Sequence, residues 1–312
     1  MIFNLYKPRA ISSNRFLQWF KHKFSISKAG FLGTLDPLAQ GVLPIFTGKS
    51  TKLIALLDDN FKSYRFIIKL GWHSASLDAE GALCKDERDF IFPDLKILTS
   101  FLDKKLGKSM QVPPKRSAVK IKGVNAYKLS RQNEKLDLTH KAKEINLYSY
   151  QIHSLSFNQI ELSIVSSRGF YVRSLAKDIA NEFGTSGYVD YLVRESNGKT
   201  FNQSSSIGLV ELVRANNLDQ LSTVDLRALP FKITSSKIID DFLWKKICSG
   251  DKFDVGSSGL GDNFLNIKEK ETPTKKEIIL TYANSPALCC GTLEYSQENN
   301  WLRFKPRLRL AY

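Results

Sequence analysis

Residues 28–44 read KAGFLGTLDPLAQGVLP, a stretch that combines three glycines with two prolines. Its three glycines allow tight or left-handed backbone. Pro37 fixes the chain directly after Asp36 and biases that residue away from helix. An Asp-Pro turn alone is a common structural feature, but together these residues predict a rigid loop that holds a carboxylate in a fixed place.

The segments around this loop mix strand and helix patterns. We expect strands at 2–6, 42–46, 64–70 and 160–164, helices starting at Ser12 or Ser13, at 51–57, at 94–106 and at 175–183, and loop structure over 28–41. No regular alternation of strand, helix and strand runs through the chain. The pattern therefore favours an α+β fold over a doubly wound parallel sheet.

The length of 312 residues suits one large domain or two unequal ones. The composition shifts near residue 230, and residues 256–276 are rich in glycine, serine and lysine. Strand-like segments follow at 278–282 and 287–295. We therefore expect a larger domain over 1–232 and a small β-rich domain over 233–312.

Charge gives the first functional indication. Lysine and arginine number 46 against 31 acidic residues, a net charge of +15. Residues 104–131 hold nine basic residues and no acid, and the last twelve residues hold four more with no acid. A generally basic soluble protein would spread this excess more evenly, so the clustering predicts a polyanionic partner, most simply nucleic acid.

The sequence lacks the residue patterns of metal sites, histidine-based triads and phosphate-binding loops. The four cysteines form no CxxC pair and the four histidines form no HxxxH or HExxH, so we expect no metal site and no histidine-based triad. Gly48-Lys49-Ser50 resembles the end of a phosphate-binding loop, but Leu43 stands where that loop needs glycine. No apolar run approaches the ~20 residues of a membrane span, and no leader peptide is evident. We expect a cytoplasmic protein that does not bind membranes.

The loop as a whole resembles the catalytic loop of the TruB family, the tRNA pseudouridine-55 synthases. That pattern runs approximately G-x-x-G-x-L-D-P-x-A-x-G-x-L, and every fixed position is present. Further segments are similar to family motifs, in order: Lys7-Pro8 with Ser12-Ser13-Asn14, Tyr64-Arg65-Phe66, residues 111–120, residues 167–175, and residues 191–194 as the end of a substrate-side helix. The resemblance covers roughly residues 1–230, and the remainder more weakly resembles a PUA-like domain.

The resemblance implies a pseudouridine synthase fold, a mixed and largely antiparallel sheet flanked by helices and loops, followed by a PUA-like RNA-binding domain. It implies conversion of the T-loop uridine at tRNA position 55 to pseudouridine, with the uridine flipped out of the T-arm. It also implies no cofactor, no obligate protein partner and a monomer. A basic RNA-binding insertion is expected at about 112–150.

The resemblance also implies roles for the residues that occupy the positions of the family motifs. Asp36 is expected to be the essential carboxylate, which either attacks the sugar C1′ or removes a sugar proton. Arg173 is expected to pair with Asp36, and Tyr64 to stack on the target uracil and to move a proton. Residues expected to support or bind the substrate are Lys7, Phe31, Asp78, Lys115, Arg116, Lys120, Lys122, Tyr171 and Leu192.

Two departures from the family pattern stand out. Phe31 occupies a position where bacterial members usually carry histidine. Residues 74–78 read Ser-Ala-Ser-Leu-Asp where Thr-Asp-Thr-x-Asp is typical, so that Asp78 is kept and the earlier acid is replaced by Ala75. We expect these departures to affect contacts with RNA rather than the catalytic carboxylate.

Two alternatives remain open. An RNA-binding protein without catalysis, such as an RNA-folding chaperone, would have the same composition and basic patches. Asp36, Tyr64 and Arg173, each in a matching context, argue against it. A guide-dependent synthase within a ribonucleoprotein is the other, and the basic insertion, similar to that of the stand-alone bacterial type, disfavours it.

Overall fold

The computed structural model describes residues 1–57, 61–88, 93–117, 119–121, 124–126, 137–229, 236–239, 244–245, 249, 253–254, 275–282, 288–296 and 301–310. The chain forms two units. One comprises Phe3–Ile45 and Asp59–Ser222, and the other comprises Met1–Ile2, Phe46–Asp58 and Thr223–Tyr312. The domain boundary at 232 stays a prediction.

The elements up to residue 229 follow the predicted mixture of strands and helices. In chain order they are β1 (Ile2–Lys7), α1 (Ser13–Lys23), β2 (Ala29–Phe31), β3 (Gln40–Thr47), a 3₁₀ helix (Gly48–Leu56), β4 (Phe61–Leu70), β5 (Trp72–Ser74), β6 (Leu83–Lys85), α2 (Leu95–Lys105), β7 (Gly107–Gln111), β8 (Lys120–Ile121), β9 (Val124–Asn125), a 3₁₀ turn (Thr139–Lys141), β10 (Lys143–Ser156), β11 (Gln159–Ser167), α3 (Val172–Glu182), β12 (Gly187–Asn197), β13 (Phe201–Asn202), a 3₁₀ turn (Gln203–Ser205), α4 (Leu209–Arg214), and 3₁₀ turns at Leu218–Gln220 and Leu226–Ala228.

One large sheet organises this part of the chain. Its strand order is β1-β3-β12-β4-β11-β10-β7, with β2 beside β3 and β13 beside β12. The central strand β4 pairs antiparallel with both β11 and β12, whereas β12 pairs parallel with β3. A mixed, largely antiparallel sheet with helices confirms the predicted α+β class.

The sequence specifies these elements locally. In β4 every second side chain is buried, and β11 repeats that alternation, as expected for strands with one face in the core. Helix α1 begins where the Ser12 hydroxyl accepts a hydrogen bond from the Arg15 N–H, and Asp94 caps α2 in the same way. Gly184, at a φ of +76°, follows the end of α3.

Two local predictions were incomplete or wrong. Residues 28–41 are not loop throughout, because β2 pairs with β3. Residues 191–194 lie within strand β12 and do not end a helix. Central strand β4 needs backbone partners on both sides, and β12 supplies those on the side opposite β11.

The C-terminal segment forms a second sheet, as the β-rich prediction requires. Its strands are β14 (Ser236–Ile239), β15 (Phe253–Asp254), β16 (Lys275–Tyr282), β17 (Leu288–Ser296) and β18 (Trp301–Leu310), in the order β14-β16-β17-β18-β15. The resemblance of this segment to a PUA-like domain stays a prediction. None of the helices in the described parts of the chain is long and apolar enough to cross a membrane.

Candidate active site

Buried side chains of strand β12 hold the loop that follows β2. The Arg194 guanidinium is fully buried and donates to the carbonyls of Gly33 (2.8 Å), Thr34 (3.3 Å) and Val42 (2.8 Å). The Asn197 side-chain amide donates to the Leu32 carbonyl at 2.8 Å. These bonds fix both ends of the turn that leads into Asp36.

Gly41 shows why the loop pattern requires glycine. Its φ is +109°, and an added Cβ would lie 2.2 Å from the backbone carbonyl oxygen of Arg194. Both the conformation and the close approach of β12 therefore exclude a side chain here. The glycine lets the loop return directly onto the strand that carries Arg194.

Lys7 supports the other side of the loop. Its buried ammonium donates to the carbonyls of Pro8 (2.8 Å), Ile11 (2.6 Å) and Pro37 (3.3 Å). Burial lowers the pKa of Lys7 to about 8, although the nearby Asp36 carboxylate opposes that shift. The structure therefore places Lys7 as a clamp on the loop backbone.

Asp36 and Arg173 form a two-point ion pair. Arg173 Nε lies 2.9 Å from Asp36 Oδ2, and Arg173 Nη2 donates to Asp36 Oδ1 at 3.0 Å. The Arg173 side chain is only 5% exposed, whereas that of Asp36 is 36% exposed. A fork of this kind fixes both position and orientation of the carboxylate. The carboxylate stays accessible on the side away from the arginine.

Arg173 is itself fixed from behind. Its Nη1 donates to the Ser76 carbonyl (2.8 Å) and lies 3.5 Å from Asp78 Oδ2, and its Nη2 also donates to the Arg116 carbonyl (3.0 Å). Asp78 Oδ1 accepts hydrogen bonds from the Ser76 hydroxyl (2.6 Å) and the Glu80 N–H (3.0 Å). Asp78 is buried, so its carboxylate faces Arg173 and the protein interior.

Opposing effects act on the Asp36 pKa. Burial raises the pKa of Asp36, the Arg173 guanidinium lowers it, the Asp78 carboxylate raises it, and Lys7 lowers it. The net direction is upward. Arg173 is therefore the main group that favours the ionised form of the carboxylate.

Tyr64 and Leu192 share the face of the sheet that carries the loop. Tyr64 lies directly opposite Arg194 in the pairing of β4 with β12, and residues opposite one another share a face. Leu192, two residues before Arg194, projects to that face too. The Arg194 side chain contacts the loop from this face of the sheet. Tyr64 and Leu192 therefore lie on the same face as the loop.

Tyr171 precedes helix α3, two residues before Arg173. Its backbone is clamped by Gln111, whose side chain accepts from the Tyr171 N–H (2.8 Å) and donates to the Tyr171 carbonyl (3.1 Å). Burial raises the pKa of the Tyr171 phenol, a hydrogen bond with the Ser117 hydroxyl and the charge of Arg173 lower it, and the Asp36 carboxylate raises it. The phenol therefore feels the charges of both members of the ion pair.

Five predicted residues remain: Phe31, Lys115, Arg116, Lys120 and Lys122. Phe31, at the end of β2, is partly exposed. Lys115 is exposed and Arg116 partly exposed in the segment after β7, next to the arginine that pairs with Asp36. Lys120 lies in strand β8, which pairs with β9. Lys122 lies outside the described residues.

Sequence reasoning assigned no role to Arg194 or Ser76. The available signal for Arg194 was an arginine directly after the largely apolar residues Tyr191-Leu192-Val193. Ser76 gave none, because it acts through a backbone carbonyl as much as through its hydroxyl. Among the described residues, no group of three histidine, cysteine, aspartate or glutamate side chains is placed to hold a metal ion.

Comparison with known proteins shows the family to which the chain is similar. Residues 21–172 match the family model described as TruB family pseudouridylate synthase (N terminal domain). The tRNA pseudouridine synthase B of Francisella philomiragia is 38% identical over 192 residues, which cover 62% of this chain and 63% of that protein. The chain thus spans less than two thirds of that relative.

A second relative matches over a larger share of its length. The tRNA pseudouridine synthase B of Nitrosomonas europaea is 39% identical over 221 residues, which cover 70% of this chain and 68% of that protein. A chain in the crystal structure of a Cbf5–Nop10–Gar1 complex has the same fold, with a TM-score of 0.65 at 19% identity over 99% of this chain and 84% of that one. The chain therefore belongs to the TruB family of pseudouridylate synthases.

Proposed function

We propose that this protein isomerises the T-loop uridine at tRNA position 55 to pseudouridine, with Asp36 as the essential carboxylate. The observation that carries the proposal is the partly exposed Asp36 carboxylate, held at two points by the buried Arg173 guanidinium. The names of the relatives from Francisella and Nitrosomonas support the choice of tRNA as substrate.

The chemistry requires no consumed reagent. The bond between C1′ and N1 breaks, the uracil turns, and a bond forms between C1′ and C5. C5 loses one proton and N1 gains one, so atoms and electrons balance without a cofactor. Asp36, whether it attacks C1′ or removes a sugar proton, must be ionised to act.

The surrounding residues form two groups: those that contact the uridine and those that hold the loop or Arg173 in place. Tyr64 stacks on the flipped uracil and moves a proton, while Leu192 forms part of the pocket wall. Tyr171 lines the site beside the ion pair. Lys7 holds the loop through three carbonyls, and Asp78 orients Arg173 from the interior. Asp78 is accordingly a positioning residue in this proposal rather than a direct contact with RNA.

Binding of the tRNA involves surfaces beyond the pocket. The insertion at about 112–150 holds the phosphates of the T-arm, and residues 233–312 act as a PUA-like RNA-binding domain. The basic stretch at 104–131 and the four basic residues among the last twelve support these assignments. The enzyme acts in the cytoplasm as a monomer without an obligate protein partner.

The salt dependence of binding tests the insertion. Replacing Lys115 and Arg116 with alanine leaves the Arg116 carbonyl, and hence its bond to Arg173, in place. Removal of each cation that binds a phosphate should flatten the slope of log affinity against log salt by about 0.7–0.9. The Lys96→Ala/Lys199→Ala variant removes two exposed lysines outside the basic stretch as a control. Equal slopes for wild type and the Lys115/Arg116 variant would exclude phosphate binding by these two side chains.

Phe31 tests whether the family histidine at this position transfers a proton or fills space. We expect it to fill the space left by the flipped base, a task for which an aromatic ring suffices. Base–aromatic stacking is worth ~1–3 kcal/mol, so Phe31→Ala should slow single-turnover formation of pseudouridine roughly 5- to 150-fold. Phe31→His should stay within about tenfold of wild type. A large gain in Phe31→His, or full activity in Phe31→Ala, would contradict this role.

The direct test uses the purified protein and a prefolded, unmodified tRNA transcript, with EDTA and without ATP or guide RNA. Pseudouridine is mapped by carbodiimide modification and primer extension. We expect modification at position 55 alone and none when that uridine is replaced by cytidine. Binding without modification would instead support an RNA-binding protein without catalysis, and modification only after a guide RNA is added would support the guide-dependent alternative.

A further inference from the structure

The first turn of helix α3 carries Arg173 but has no side-chain cap of its own. Arg173 is the second residue of this helix, and Tyr171 stands at the N-cap position without a side-chain hydrogen bond to the helix. A serine, threonine, aspartate or asparagine at that position would bind a backbone N–H of the first turn and fix it. The place of this turn therefore depends on contacts from elsewhere in the chain.

Gln111 supplies two of these contacts. It is the last residue of edge strand β7, where its backbone pairs with Lys143 of β10, and it is buried. Its side-chain amide accepts a hydrogen bond from the Tyr171 N–H at 2.8 Å and donates one to the Tyr171 carbonyl at 3.1 Å. An amide carries a donor and an acceptor in one plane, so it binds both backbone groups of a residue as a paired strand does.

A third hydrogen bond joins the same two elements. The hydroxyl of Ser174, which is buried in the first turn of α3, donates to the Val112 carbonyl at 2.9 Å. Val112 directly follows Gln111, so the end of β7 and the start of α3 are fastened at two neighbouring points. We call these contacts, Gln111 with Tyr171 and Ser174 with Val112, the β7–α3 clamp.

The clamp determines where the Arg173 side chain begins. Arg173 lies between the two clamped residues of the helix, and its guanidinium must present two nitrogens to Asp36 at 2.9 Å and 3.0 Å. Lys7 and Arg194 hold the loop that carries Asp36 separately, so the carboxylate cannot follow a movement of α3. A fork of two hydrogen bonds has a strict geometry, and a misplacement of about 1 Å in a reactive site costs up to 10²-fold in rate.

We propose that Gln111 is a positioning residue for the reaction, which together with Ser174 holds the first turn of α3 so that Arg173 meets Asp36 at two points. The proposal rests on the proposed function, because it concerns the carboxylate that acts on the uridine there. Gln111 contacts no reacting atom in this role, and its effect on the rate passes through Arg173.

The test compares Gln111→Met with Asn4→Leu. Each variant keeps the approximate size of a buried amide and removes its hydrogen bonds, which for Asn4 go to the Asn202 carbonyl (2.8 Å) and the Ser205 hydroxyl (2.9 Å). Asn4 lies three residues before Lys7 in β1, so it faces away from the loop that Lys7 holds. Both variants should lower the Tm. Only Gln111→Met should lower the single-turnover rate at saturating enzyme, by about 10- to 100-fold.

Affinity separates positioning from RNA binding in this comparison. Phosphate contacts supply most of the binding free energy, and the clamp leaves them in place, so the Kd of Gln111→Met for tRNA should stay within about threefold of wild type. A Kd that rises by as much as the rate falls would overturn the proposal, because Gln111 would then support binding and not the chemical step.

A double-mutant cycle tests whether Gln111 acts through Arg173. The background is Arg173→Met/Asp78→Asn, which removes the guanidinium together with the buried carboxylate that would be left without it. In this background Gln111→Met should lower the remaining rate by less than about twofold, since residues that act as a unit are not additive. A fall as large as in the otherwise wild-type chain would overturn the proposal.

Ser174→Ala decides the question if Gln111→Met does not fold. Alanine suits a helix, and the variant loses only the bond to Val112, so we expect a folded protein whose rate is about three- to tenfold lower. A wild-type rate in Ser174→Ala, or in a folded Gln111→Met, overturns the proposal. A wild-type chain that forms no pseudouridine instead overturns the proposed function on which it rests, and that result is distinct because it appears before any variant is compared.

Discussion

Asp36→Asn is expected to abolish pseudouridine formation, with a fall in single-turnover rate of at least about 10⁴-fold. Asparagine keeps the size of the side chain but can neither attack C1′ nor accept a sugar proton as a carboxylate does. Arg173 would retain its bonds to the Ser76 and Arg116 carbonyls and its contact with Asp78, so the framework of the site should persist. The loss should therefore appear in the chemical step and not in folding.

Affinity for tRNA separates catalysis from binding in this variant. Phosphate contacts supply most of the binding free energy, and Asp36 makes none, so the Kd of Asp36→Asn should stay within about threefold of wild type. Single-turnover modification of one transcript and filter binding of the same transcript provide the two measurements. Asp103→Asn is a matched control, because Asp103 is an exposed carboxylate on α2 that bonds the Tyr150 hydroxyl. Normal turnover by Asp36→Asn would refute the catalytic assignment.

The loop and most elements could be predicted because the signals are local. Glycine permits a left-handed backbone and proline fixes φ, each at its own position, which was enough to expect a rigid loop around Asp36. Alternating apolar residues predicted β4 and β11, a capping serine predicted the start of α1, and an amphipathic pattern predicted α2. The helix end expected at residues 191–194 was wrong: it was taken from the family resemblance, whereas these residues lie within strand β12.

The partners of the loop could not be predicted in the same way. Arg194 lies 161 residues from Gly33 in sequence, and Arg173 lies 137 residues from Asp36. No spacing rule connects side chains that far apart, so only the family resemblance linked Arg173 with Asp36. Arg194 stayed without a role until the register of β12 against β4 showed which face it occupies.

Arg173→Met is expected to give the second large effect, on the order of 10²- to 10³-fold in the single-turnover rate, the usual result of removing one preorganised electrostatic partner. It also leaves the buried Asp78 carboxylate without its cation, and breaking a buried ion pair costs about 3–5 kcal/mol of stability. The Arg173→Met/Asp78→Asn double variant removes that uncompensated charge, so it should recover stability while the rate stays low. Arg173→Lys keeps a charge but loses the two-point fork, and its rate should fall between those of Arg173→Met and wild type.

The dependence of the single-turnover rate on pH shows why Arg173→Met loses activity. Arg173 opposes the rise in the pKa of Asp36 that burial produces, so removal of the guanidinium should raise that pKa further. Because the reaction needs the ionised carboxylate, the rate falls as the pH drops through this pKa. The acidic limb of the profile should therefore move to higher pH in Arg173→Met and in the double variant, and less in Arg173→Lys. A uniform loss of rate with an unmoved acidic limb would mean that Arg173 places Asp36 without controlling its ionisation.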